Sequence, residues 1–87
     1  MDFQQKAKFL VTQFINERAF NTYSQSRVSE DQVYVVWFSK TLQNWKALVS
    51  TMIPNGMYYE VTYNGDKKET YIDSYEKLEN VVVPDPT

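Results

Sequence analysis

The chain contains no cysteine and no histidine among its 87 residues. Without cysteine, disulfides, thiolate nucleophiles and thiolate-bound metals are excluded. Without histidine, the commonest general base and the commonest zinc ligand are missing. Neither a Ser-His-Asp nor a Cys-His arrangement can be assembled. Glycine is scarce: Gly56 and Gly65 are the only two, so a phosphate-cradling glycine loop is excluded as well. No apolar run approaches the ~20 residues that a membrane-spanning helix needs. The first ten residues mix Asp2, Lys6 and Lys8 with apolar residues, which is not the pattern of a signal peptide. A cytoplasmic protein with no membrane association is therefore expected.

Charge of one sign is also lacking. The net charge of −2 divides into +2 over residues 1–59 (six basic, four acidic) and −4 over residues 60–87 (three basic, seven acidic). Neither half shows the basic footprint of a nucleic-acid binder or the acidity of a polyanion mimic. What the chain does have is aromatic rings: seven Tyr, five Phe and two Trp, 16% of the sequence. Each buries roughly 150–250 Å², which helps a domain this small, since it hides only about 60–65% of its unfolded surface. One α+β domain over residues 1–83 is expected, with a C-terminal tail at 84–87.

Residues 2–19 predict an amphipathic helix. Phe3, Ala7, Leu10 and Phe14 follow helical spacing, and Val11 and Ile15 widen the stripe. Asp2 and Gln5 have the spacing of a capping box. Residues 21–31 are polar and aperiodic and read as a loop. Residues 32–39 are β-branched and aromatic throughout. Strict alternation puts Val33, Val35 and Trp37 on one face and Tyr34, Val36 and Phe38 on the other. A strand apolar on both faces is expected at the centre of a sheet. Trp45–Thr51 reads as a second strand with Trp45, Ala47 and Val49 on one side. A helix over 41–48 is the competing reading. Ile53-Pro54-Asn55-Gly56 is a turn.

Met57–Tyr63 and the stretch up to Asp73 flank Asn64-Gly65, the favoured pair of a two-residue hairpin. That loop length would set Tyr58 opposite Tyr71, Met57 opposite Ile72 and Glu60 opposite Glu69. Met57, Tyr59, Val61 and Ile72 then face the core. Tyr58, Tyr71, Glu60, Glu69, Thr62 and Lys67 face away from it. Residues 74–80 read as a short helix or turn, and Val81-Val82-Val83 as an edge strand or a packed arm. The expected architecture is an N-terminal helix on an antiparallel sheet of about four strands, with a short C-terminal helix or arm.

The sheet face turned away from the helix is the candidate site. Tyr34, Trp45, Tyr58 and Tyr71 are expected there, with Lys46 and Lys67 beside them. Tyr and Trp are frequent anchors of protein interfaces, and aromatics with lysines on a sheet also stack single-stranded bases. Alternatively the rings fill a second core beneath the 21–31 loop and the C-terminal arm. Glu60, Asp66, Glu69 and Asp73 are the available oxygen ligands, but their spacing matches no calcium loop. No metal, cofactor or catalytic residue is assigned.

The runs Val33–Phe38, Lys40–Leu48 and Tyr58–Glu69 resemble a family of short proteins of unassigned function from Gram-positive bacteria and their phages and prophages. The resemblance spans roughly residues 32–83. It implies a small accessory protein in the host cytoplasm that is not an enzyme and binds another protein, a copy of itself included. Nucleic-acid binding on the same face is the alternative.

Overall fold

A computed structural model describes residues 2–21, 27–54 and 56–86. The elements are a helix, α1 (Phe3–Asn21), a single 3₁₀ turn at Glu30–Gln32, and four strands: β1 (Val33–Thr41), β2 (Asn44–Thr51), β3 (Met57–Asn64) and β4 (Glu69–Glu76). The strands form one antiparallel sheet in the order β1-β2-β3-β4. This is the expected α+β architecture. Residues 22–26 of the expected 21–31 loop lie outside the described residues.

The helix starts where its capping box predicts. Asp2 Oδ1 accepts the Gln5 N–H at 2.7 Å, and Gln5 Oε1 accepts the Asp2 N–H at 3.2 Å. Both bonds satisfy donors that a helix start leaves unpaired. Ala7, Val11 and Ile15 project from α1 into the core, where they meet Val33, Trp45, Ala47, Val49, Tyr59 and Val61 of the sheet. Each fully buried valine contributes roughly 1.5–3 kcal/mol. Asn16 clamps the returning chain through its side-chain amide, donating to Val28 O and accepting from Val28 N–H, both at 2.8 Å. That pair feeds the buried Val28 under the helix just before β1 begins. Near the start of α1, Phe3, Phe38, Trp45 and Tyr63 form a chain of ring contacts with centroids 5.8–6.4 Å apart.

Segment 44–51 is a strand rather than a helix. Trp45, Ala47 and Val49 all point to α1, as the alternation of residue types requires. Four expectations are corrected. First, β1 is an edge strand, not a central one. Its two apolar faces are reconciled by a bulge: Val35 pairs with Val49 and Trp37 with Leu48, which leaves Val36 as the extra residue. The bulge breaks the alternation. Phe38 therefore joins Val33 and Val35 on the helix side, while Trp37 moves to the opposite face with Tyr34.

Second, Asn64-Gly65 is not a two-residue hairpin. Asn64 pairs with Glu69 across the four-residue turn Gly65–Lys68. The Asn64 side chain organises it by accepting the N–H groups of Asp66 (3.1 Å) and Lys67 (3.2 Å), an Asx turn. The register moves by four residues: Tyr58 faces Tyr75, Thr62 faces Tyr71, and Glu60 faces Asp73. The two-residue hairpin lies instead at Leu42-Gln43, closed by the Thr41–Asn44 pair, with Leu42 at φ 55°.

Third, there is no C-terminal helix at 74–80. The shifted register carries β4 to Glu76, opposite Met57, so the backbone of 74–76 is spent on the sheet. Fourth, Val81-Val82-Val83 is neither an edge strand nor a packed arm. Lys77 N–H still bonds Gly56 O at 2.7 Å, but residues 77–86 have no regular structure, and Leu78 and Val81–Val83 are 66–90% exposed.

Candidate functional site

The sheet has one covered and one open face. On the open face the register aligns side chains in rows across the strands. Tyr34, Ser50, Tyr58 and Tyr75 form one row. Trp37, Leu48, Glu60 and Asp73 form the next, and Ser39, Lys46, Thr62 and Tyr71 a third. Tyr34, Trp37 and Tyr71 are each 42% exposed and Tyr75 is 52% exposed. A monomeric domain rarely leaves so many large rings in water on one surface. A shallow depression of about 550 Å³ on this face is lined by Trp37, Ser39, Lys46 and Thr62. A second depression of about 390 Å³ lies at the other end of the sheet, around Tyr34, Ser50, Tyr58 and Lys77.

Of the residues expected at this site, Tyr34, Lys46, Tyr58 and Tyr71 are on the open face. Trp45 is not. It is 3% exposed, on the helix side, packed between Phe38 and Tyr63. Its position on a regular strand with Ala47 and Val49 puts it there. Lys67 is also off the face, in the Gly65–Lys68 turn. Trp37 and Tyr75 are the residues that sequence reasoning missed. The bulge at Val36 turns Trp37 outward, and no periodicity reveals it. Tyr75 was legible in principle, since it shares parity with Tyr71 once the strand is allowed to run to 76.

The face is acidic towards β4. Lys46 Nζ lies 3.5 Å from Glu60 Oε1. Glu69 accepts the Tyr71 hydroxyl, and that bond holds the Tyr71 phenol above its usual range, with smaller contributions from burial and from the Glu69 charge. Asp73 stands opposite Glu60. Asp66, the remaining oxygen ligand considered, is in the turn and accepts from the Gln43 side chain. Among the described residues no three Asp or Glu side chains come together to hold a metal ion. No described helix is long and apolar enough to cross a membrane.

The second core expected as an alternative beneath the C-terminal arm does not form with the described part of that arm, whose residues are exposed. The covered face differs in kind. There the rings are in contact with each other, and burial raises the Tyr59 phenol above its usual range, partly offset by Arg18.

Compared with known protein families, residues 4–85 match DUF6275, described as a family of unknown function, and the chain belongs to it. No curated protein and no solved structure matches the chain.

Proposed function

We propose that this member of the family is a non-catalytic binding module that docks another protein on the open aromatic face of its sheet. The supporting observation is that Tyr34, Trp37, Tyr71 and Tyr75 share one face and remain 42–52% exposed. Rings of this kind supply large contact area at low entropic cost and act as hot spots once a partner excludes water. Leu48 sits among them as an apolar floor. The earlier resemblance adds a setting, that of a phage or prophage accessory protein acting in the host cytoplasm. Single-stranded nucleic acid is disfavoured: Lys46 is the one cation in these rows, it is neighboured by Glu60, and Glu69 and Asp73 repel phosphate.

Trp37→Ser is the test. It is expected to keep the far-ultraviolet circular dichroism of the native chain while losing the partners that the native chain captures from host lysate. Gln13→Ala, on the outer surface of α1, should capture them unchanged. If Trp37→Ser retrieves the same proteins in the same yield, the face is not the docking site. Quenching of tryptophan fluorescence by oligonucleotides at low salt would favour the nucleic-acid reading instead.

A further inference from the structure

The open face is not the only unsatisfied surface. The sheet has two edges, and they are built differently. The β1 edge is broken by the bulge at Val36 and carries Lys40. Both are devices that discourage strand addition. The β4 edge, Glu69-Thr70-Tyr71-Ile72-Asp73-Ser74-Tyr75-Glu76, is eight residues long and pairs with β3 without a register shift. It contains no proline and no lysine. Helix α1 packs over β1 and β2, reaches β3 less, and barely meets β4. Strand β4 is thus open on its edge, and its covering on the helix side is thin.

The direction of its backbone groups follows from one bond. Lys77 N–H points at Gly56 O. Groups in an antiparallel strand alternate in direction, so Glu69, Tyr71, Asp73 and Tyr75 also point at β3. Thr70, Ile72, Ser74 and Glu76 therefore present their N–H and C=O groups outward.

We infer that the β4 edge pairs antiparallel with β4 of a second copy, about a two-fold axis through Ile72, to make one continuous eight-stranded sheet. The side chains select this register. It sets Ile72 against Ile72, Thr70 against Ser74, Tyr71 against Asp73 and Glu69 against Tyr75, and it brings the turn residue Lys68 to the end of the ladder near Glu76. Outward-pointing residues meet outward-pointing residues, as a ladder requires. No like charges are directly opposed within the ladder, and the Lys68 turn comes near Glu76 at each end. Moving the axis to Asp73 opposes two aspartates, and moving it to Tyr71 opposes Glu69 to Asp73. Both are unfavourable.

The pairing does not depend on what the aromatic face binds. It does put the two open faces on the same side of the sheet, since the axis is perpendicular to it, and so doubles the docking surface.

Sedimentation equilibrium of the full chain is expected to show a reversible dimer. Ser74→Pro removes an outward N–H without touching the β3 ladder, a place where an edge strand tolerates proline. It is expected to give a monomer with native circular dichroism. Lys68→Glu puts a like charge near Glu76 at both ends and should weaken the dimer about tenfold, while Lys68→Glu combined with Glu76→Lys should restore it. Trp37→Ser, which disables the face, should leave the dimer unchanged. A native chain that stays monomeric at every soluble concentration overturns the pairing. So does a dimer that ignores the Lys68→Glu substitution, a readout that holds even if the proline variant fails to fold.

Discussion

The molecule is two hairpins laid side by side, and they differ in almost everything except length. The β1–β2 hairpin turns in two residues, carries a bulge, and lies under α1. The β3–β4 hairpin turns in four, is regular, and its outer strand is barely covered. The first is the more apolar in sequence and supplies most of the sheet's buried residues: Val33, Trp45, Ala47 and Val49, against Tyr59 and Val61 from the second. Where the helix lies decides which strand is core. The outer strand of the first hairpin is anchored although it is an edge. The outer strand of the second contributes only a half-buried Ile72, and it is the one left free to meet something else.

The most direct way to break this contrast is to put the same charge on each outer strand. Val33 is 1% exposed beneath α1. Val33→Asp buries an unpaired carboxylate and is expected to cost about 4 kcal/mol or more, enough to unfold a marginal domain. Ile72→Asp, on the thinly covered strand, is expected to cost about 1–2 kcal/mol. Urea titrations of the two variants check this. Equal losses would mean that β4 is as much core as β1.

The turns give the next effect in size. Gly65 is not in the left-handed region, so its backbone conformation does not demand glycine. Space does. A Cβ there would fall within the van der Waals radius of the Gln43 carbonyl and side chain, because the two hairpin turns press together. Gly65 N–H donates to Asn44 Oδ1 at 2.8 Å across that contact. Gly65→Ala is expected to cost about 1–3 kcal/mol through overpacking. In the other hairpin Leu42 is 79% exposed and holds φ 55°, a conformation glycine adopts freely. Leu42→Gly is expected to stabilise by about 0.5–1 kcal/mol in the same titration. A loss there would show that the Leu42 side chain matters more than the strain.

These turns also show what was legible. The Asn-Gly signature predicts a two-residue hairpin, yet the tight turn forms at Leu42-Gln43, which carries no signature at all. Asn64 spent its side chain on the two following N–H groups, and Gly65 was used for a close approach. The resulting register error was four residues, an even number. Because faces alternate every two residues, Met57, Tyr59, Val61 and Ile72 kept their side, and so did Tyr58 and Tyr71. The helix cap and β2 were legible because each carries a local signal with one meaning. Residues 32–39 were not, because a run apolar on both faces has no parity to read, and one bulge then exchanged Trp37 for Phe38. Tyr34, Lys46, Tyr58 and Tyr71 therefore share the open face as expected, whereas Trp45 and Lys67 do not.

The smallest expected effect lies inside the covered hairpin. Trp45 is enclosed by Phe3, Phe38 and Tyr63, and among the described residues its Nε1–H is a buried donor with no hydrogen-bond acceptor. An unpaired buried donor costs about 1–3 kcal/mol. Trp45→Phe removes that donor and keeps an aromatic ring in the stack, but it loses ring volume, and the residual cavity costs a comparable amount. The two nearly cancel, so a change within about 1 kcal/mol is expected in chemical denaturation. Trp45→Ala, which keeps neither ring nor donor, should cost about 3–5 kcal/mol. A large loss in the phenylalanine variant would mean that the indole N–H has an acceptor in solution, and the first hairpin would then be held by a polar bond as well as by packing. A near-neutral result would leave packing under α1 as what anchors β1 and β2, and would set that hairpin fully apart from the barely covered β4.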